Sequence, residues 1–261
     1  MVLALLLALA SPADWVSARW NWTEPASLDL LKNTPINCLL INWTPSQAES
    51  AAAFAARASE RGIATLAVLY PKSDAVAAAR QAVRAHLNGI VLDGEFPAGT
   101  AARVRDAIAD AKAIVIELTS RRSMDLSAPA PILGTYQGVW AGIQVMEDGH
   151  AKSGPSGSAW IDTNGGFIRA VRAWTDAPLW LGNLPPPKSL VTAERYLQVI
   201  CDAAMVGARW VLSIDDDFAG RLKANEEAAV KSWARIAQHL KFMARQKNSW
   251  VDSGSGSLPS E

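Results

Sequence analysis

The stretch Leu87-Asn88-Gly89-Ile90-Val91-Leu92-Asp93-Gly94-Glu95-Phe96-Pro97 joins an apolar run to two carboxylates two residues apart. In a strand, positions i and i+2 share a face, so Asp93 and Glu95 point the same way, together with Val91. Gly94 adds no side chain between them, and Pro97 blocks continuation of the strand. A short buried strand ending in same-face acids is how α/β barrels place reactive groups at their C-terminal rim. A strand that simply leaves the core into a solvated acidic loop gives the same pattern.

Working outward, the pattern of strand followed by helix repeats. Strands are expected within residues 15–22, 37–43, 63–70, 89–96, 113–118, 131–145, 178–184 and 209–214. Helices are expected over 46–62, 73–87, 100–112, 160–174, 192–206 and 225–245, with Ser73 or Asp74 capping the second and Gly62 stopping the first. Crossover helices between strands imply a parallel sheet, and eight such units match a single-domain (β/α)8 TIM barrel in number and size. The alternative is an open doubly wound sheet. It calls for a Gly-rich phosphate loop after the first strand, where the chain instead reads Trp20-Asn21-Trp22-Thr23-Glu24-Pro25.

The barrel is expected to occupy residues 14–247, followed by a Ser- and Gly-rich flexible tail at 248–261. Residues 1–13 are apolar, too short to span a bilayer, and run into small residues before Asp14. They read as the apolar core and cleavage region of a secretory signal peptide without its basic start, or as an ordinary apolar segment. The signal-peptide reading places the protein outside the cytoplasm, secreted or periplasmic. Cys38 and Cys201, far apart in sequence, read as two buried free thiols, with a disulfide open to them in an oxidising compartment.

The formal net charge is zero, which leaves no electrostatic footprint for nucleic acid. No stretch is long enough for a membrane span. Tryptophan is unusually frequent, with eleven in the chain, and Trp is a favoured platform for sugar faces as well as a good core residue.

The predicted strand ends carry Trp22 and Glu24, Trp43, Tyr70, Asp93 and Glu95, Glu117, Tyr136 with Gln137 or Gln144, Asn183, and Asp215 to Asp217. Carboxylates, amides and aromatics dominate this rim. His86 and His239 fall in predicted helices, His150 falls in a loop, and no nucleophile elbow occurs, so Ser–His chemistry and zinc sites are poorly supported. No cofactor is implied. The acids are able to bind a divalent cation, best at Asp215-Asp216-Asp217, where a strand face groups Asp215 and Asp217 with Ser213. Paired carboxylates between aromatic walls also suit glycosidic bond hydrolysis.

The stretch 87–95 resembles the fourth-strand signature of family-eighteen glycoside hydrolases. Asn88, Gly89, Ile90, Leu92, Asp93 and Glu95 fit it, whereas Val91 stands where the family has an acid or Asn. The run Trp210 to Phe218 is similar to the family's last strand, with Leu212 in place of the floor Trp, and Tyr136-Gln137 stands for its Tyr-Asp pair. The resemblance implies Glu95 as general acid and Asp93 as the group that orients the substrate's acetamido nucleophile.

Two expectations follow. One is a secreted hydrolase cleaving a polysaccharide or oligosaccharide. Glu95 is its acid, and Asp93, Glu117 or Asp215 supplies a second carboxylate. Trp22, Trp43, Tyr136, Gln137, Trp140 and Asn183 form the sugar subsites. The other is a non-catalytic extracellular barrel that binds glycan or serves as a structural or assembly component, with a protein partner.

Overall fold

Alternate residues of a strand face opposite sides, and here both sides are apolar, as in strands covered on two faces. The computed structural model describes residues 10–72, 74–127, 130–140, 143–145, 151–153, 164–186 and 191–245. In chain order the strands are β1 (Ser17–Trp20), β2 (Cys38–Asn42), β3 (Ala64–Leu69), β4 (Gly89–Asp93), β5 (Ile114–Thr119), β6 (Leu133–Thr135), β7 (Ile143–Val145), β8 (Ala151–Ser153), β9 (Leu179–Leu181) and β10 (Arg209–Trp210). The strands β7 and β8 form a separate antiparallel pair. The other eight pair in parallel in the order β1-β2-β3-β4-β5-β6-β9-β10.

The ring closes just beyond β10. Arg19 N–H donates to the Leu212 carbonyl at 2.7 Å, and Leu212 N–H donates to the Ser17 carbonyl at 3.0 Å. An open sheet would leave these backbone groups as edges. The fold is therefore a single (β/α)8 barrel, as expected, and not a doubly wound sheet.

The helices are α1 (Ala48–Ser59), α2 (Ala75–Arg84), α3 (Thr100–Ala107), α4 (Asn164–Arg172), α5 (Ala193–Ala204), α6 (Asp216–Lys223) and α7 (Glu227–Arg245). Asp74 caps α2, its carboxylate accepting from the N–H groups of Val76 and Ala77. Ala75, Ala78, Ala79 and Ala82 form the buried face of that helix, at the spacing that lets a helix lie close on a sheet. The helix expected over 100–112 stops at Ala107, and a 3-10 turn (Ala109–Ala111) completes it. The strand expected over 209–214 contracts to two residues plus the Leu212 bridge. Among the described residues no helix is long and apolar enough to cross a membrane. Residues 1–9 and 246–261, which hold most of the expected leader and all of the expected tail, lie outside the described residues.

Two apolar layers result. Trp15, Leu40, Leu66, Val91, Ile116 and Trp180 belong to the cluster filling the barrel interior, while Leu39, Ile90, Val104, Ile168 and Ile236 belong to the layer between strands and helices. Cys38 lies in the first layer and Cys201 is half-exposed on α5; both thiols are free.

The Asn88-Gly89 pair has a packing explanation. The Asn88 carboxamide oxygen accepts from Thr65 N–H at 2.8 Å. A Cβ at Gly89 would lie 2.7 Å from the Ile114 carbonyl oxygen and 2.7 Å from Ile114 Cγ1. Gly89→Ala is therefore expected to push β4 off β5 and lower stability by about 1–3 kcal/mol, the cost of an overpacked core. A urea titration checks this: the midpoint falls, and an unchanged midpoint means that β5 yields freely.

Candidate functional site

Strand parity decides which side chains reach the mouth. On β1, Ala18 and Trp20 pack toward the helices, so Ser17 and Arg19 project into the barrel. On β4, Val91 is interior, and Asp93 follows it on the same face at the C-terminal end. The two meet there. Arg19 Nη2 donates to Asp93 Oδ2 at 2.7 Å, with side chains only 6% and 8% exposed. Arg19 Nε and Nη1 are buried and have no hydrogen-bond acceptor among the described residues. An unmet buried donor costs on the order of 1–3 kcal/mol, more on a charged group, so this guanidinium is held at a cost.

Tyr70 stands beside the pair. Its hydroxyl donates to Asn42 Oδ1 at 3.0 Å. Burial pushes the phenol upward, and the Asp93 charge adds to this, while Arg19 opposes it. On the other side, Gly94 takes a φ of +117°, which turns the chain out of β4. Glu95 is then exposed, not in line with Asp93 along a strand. Its carboxylate accepts from Ser120 N–H at 2.6 Å, from the Ser123 hydroxyl at 2.8 Å and from the Tyr136 hydroxyl at 3.3 Å. The Ser120 amide and the Ser123 hydroxyl hold its carboxyl below the usual carboxylate range. Burial, Glu95 and Asp93 together raise the Tyr136 phenol.

The mouth thus brings together Asp93, Glu95 and Tyr136 from the sequence-based set. Arg19 and Asn42 were missed. The signal for Arg19 was an arginine in phase with Ser17 on a strand otherwise built of buried residues.

Other candidates stand elsewhere. Glu117 has the opposite parity to Ile116 and Leu118, so it faces the helices and pairs with Arg105 of α3 at 2.8 Å. Asp215 is the N-cap of α6. It accepts from Phe218 N–H at 2.9 Å and from the Tyr196 hydroxyl at 2.7 Å. Asp216 and Asp217 lie in the first turn of that helix, and Asp217 pairs with Arg221. The expected strand face of Asp215, Asp217 and Ser213 is therefore not formed. Among the described residues no group of three or more His, Cys, Asp or Glu is placed to hold a metal.

Trp140 is 1% exposed and packs edge-on against Tyr196 and Trp210, so it offers no stacking face. Trp43 is buried as well. Trp22 is half-buried against Trp20. Gln137 accepts from Arg121 N–H at 2.9 Å, and Asn183 Nδ2 donates to the Gly138 carbonyl at 2.7 Å, so both side chains tie loops together. The side chain of Gln144 lies outside the described residues.

No family model matches the chain, and no curated protein matches it. Solved structures do. One is a protein from Aquifex aeolicus VF5, known by a structural study, with a TM-score of 0.51 at 10% identity over 88% of this chain and 94% of that one. Another is a 3-hexulose-6-phosphate synthase, with a TM-score of 0.49 at 11% identity over 86% of this chain and 98% of that one. A third is the carboxyl transferase domain of Rhizobium etli pyruvate carboxylase with pyruvate, at 0.48 and 13% over 95% and 50%. At such identities the likeness carries the fold alone.

The expected kinship with family-eighteen glycoside hydrolases is overturned. No family model supports it, and none of the solved structures named above is named as a glycoside hydrolase. The secreted hydrolase, its glycan-binding or structural alternative and the polysaccharide partner fall with it. The site agrees with this correction. Glu95, expected as the general acid, has its carboxyl lowered by the Ser120 amide and the Ser123 hydroxyl, whereas a general acid is served by a raised pKa. The short motif match has a local cause in the packing of Asn88 and Gly89.

Proposed function

We propose that the C-terminal mouth is a small-molecule acid–base site, in which Arg19 holds a substrate oxyanion and Asp93 takes a proton from the adjacent carbon. The observation that carries this reading is the buried Arg19–Asp93 pair with two guanidinium nitrogens left over. A carbonyl or carboxylate oxygen is the acceptor those donors lack.

The reaction class is proton abstraction next to a carbonyl. As Asp93 accepts the C–H proton, the C–H electron pair forms the C=C bond and the carbonyl π pair moves onto oxygen. Negative charge leaves the Asp93 carboxylate and appears on the enolate oxygen, while Arg19 touches both positions. The net charge of the buried set does not change, so little solvent reorganisation is required in a water-poor interior. Tyr70 and Tyr136 stay protonated at neutral pH beside this site, their hydroxyls donating to Asn42 and Glu95.

The test is solvent-deuterium exchange at the carbon beside the keto group of small 2-oxo and 3-oxo carboxylic acids, followed by proton NMR. At least one acid is expected to lose the proton signal of that carbon with the parent protein. Asp93→Asn should slow this by about 10²–10⁴-fold, the usual contribution of a general base. Exchange that survives Asp93→Asn would remove Asp93 from the chemistry, and no exchange across the whole panel would end the reading.

A further inference from the structure

A cavity of about 570 Å³ opens at the opposite, N-terminal end of the barrel, between β9, β10 and helices α5 and α7. Neither Arg19, Asp93 nor Glu95 lines it. Its volume falls in the range that holds small organic ligands. Trp180, Ile200 and Leu240 supply apolar wall, and Arg172 and Arg209 supply two guanidinium groups.

Both arginines are half-buried. Arg172 donates to the carbonyl oxygens of Thr175, Ala177 and Gly207, and Arg209 Nη1 donates to that of Trp15. Their counter-charges, Asp176, which also lines the cavity, and Asp14, are exposed and therefore screened by water. Two guanidinium groups thus stand against one carboxylate among the cavity's lining residues. Burial lowers both guanidinium pKa values.

The surround is apolar too. Trp174, Met205 and Phe242 are 79%, 58% and 50% exposed. Each is within two residues of a cavity-lining residue, at the C-terminal ends of α4, α5 and α7. Exposed large apolar side chains gathered near a concave apolar wall mark a binding surface more often than chance exposure does.

We propose that this cavity binds an amphipathic anion of the fatty-acid class, its hydrocarbon chain on Trp180, Ile200 and Leu240 and its carboxylate beside Arg209. Arg209 is the better head-group partner, because Arg172 is already committed to three backbone carbonyls. The site is independent of the chemistry at the mouth.

The test is calorimetric titration of the full-length chain with octanoate and with 1-octanol. Octanoate is expected to bind one to one, at least fivefold more tightly than 1-octanol. Arg209→Gln should bring octanoate down to the affinity of 1-octanol, and Arg209→Lys should retain most of the difference. Ala204→Trp on α5 and, independently, Ala244→Trp on α7 fill the cavity and should abolish binding of both, with circular dichroism confirming that each variant is folded. Arg19→Gln should leave octanoate binding unchanged, because the mouth is a different site. The proposal is overturned if the parent binds no octanoate, if both compounds bind equally, or if binding survives the filling variants and is lost in Arg19→Gln.

Discussion

Asp93→Ala lowers the unfolding free energy by about 3–5 kcal/mol, the cost of leaving one member of a buried ion pair without its partner. Arg19 would then hold its charge inside the barrel with no carboxylate, in addition to the two donors that already lack acceptors. For a domain of this size each kcal/mol shifts the melting temperature by roughly 2–4 °C, so scanning calorimetry should register a fall of about 6–20 °C. The double replacement Arg19→Met with Asp93→Leu should recover most of this loss, because it removes the charges and fills the space with apolar groups. Recovery of stability together with loss of proton exchange would separate the two roles. It would place the pair among features kept for chemistry at a cost to the fold. A single variant as stable as the parent would mean that water already reaches Arg19 and that the pair is not desolvated.

Trp180→Ala should be nearly as damaging. Trp180 lies in the barrel interior, 1% exposed, with its ring centroid 6.4 Å from that of Trp15 at an angle of 42°. Truncation removes the largest side chain of that layer, and the rigid strand ring around it collapses only in part. Losses of about 3–5 kcal/mol accompany Trp→Ala changes in such cores. The readout is a urea titration whose midpoint falls while the slope is unchanged, as expected when the native state alone is weakened. A loss below about 1 kcal/mol would mean that the Trp15 side repacks into the space.

The barrel was legible because its cause is repetitive. Apolar runs separated by Ala-rich helical stretches leave few ways to bury both faces of every strand. The position of Asp93 was legible for a related reason, since it follows Val91 by two on a strand that ends there. Where parity was not applied, the reading failed. Glu117 stands next to Leu118, which is interior, so it had to face the helices, where Arg105 meets it. Arg19 was invisible to a search for acids and aromatics, although the phase of Ser17 and Arg19 against Ala18 and Trp20 was present in the sequence.

The remaining errors concern local chemistry that competes with strand formation. Asp215-Asp216-Asp217 looks like the acidic end of a strand. Asp is also among the best N-cap residues, and with Phe218, Ala219 and Leu222 on a buried face the helix wins. The tryptophans misled in the same manner. Trp140, expected as a sugar platform, is among the largest fully buried side chains of the described residues and serves the core. The departure of Glu95 from the β4 face depended on the left-handed φ of Gly94, which glycine permits and which nothing in its neighbours demanded.

The proposed chemistry at the mouth requires that the unused N–H groups of Arg19 hold a substrate oxyanion. Oxalate, a planar dianion with the shape of a 2-oxo acid enolate, tests this most directly by calorimetric titration of the parent, Arg19→Gln and Asp93→Asn. The parent should bind one equivalent. Asp93→Asn should bind at least tenfold more tightly, because the competing carboxylate charge is gone while Arg19 is kept, and Arg19→Gln should not bind. Equal binding by all three proteins, or none by Asp93→Asn, would contradict the assignment of Arg19 as the oxyanion partner.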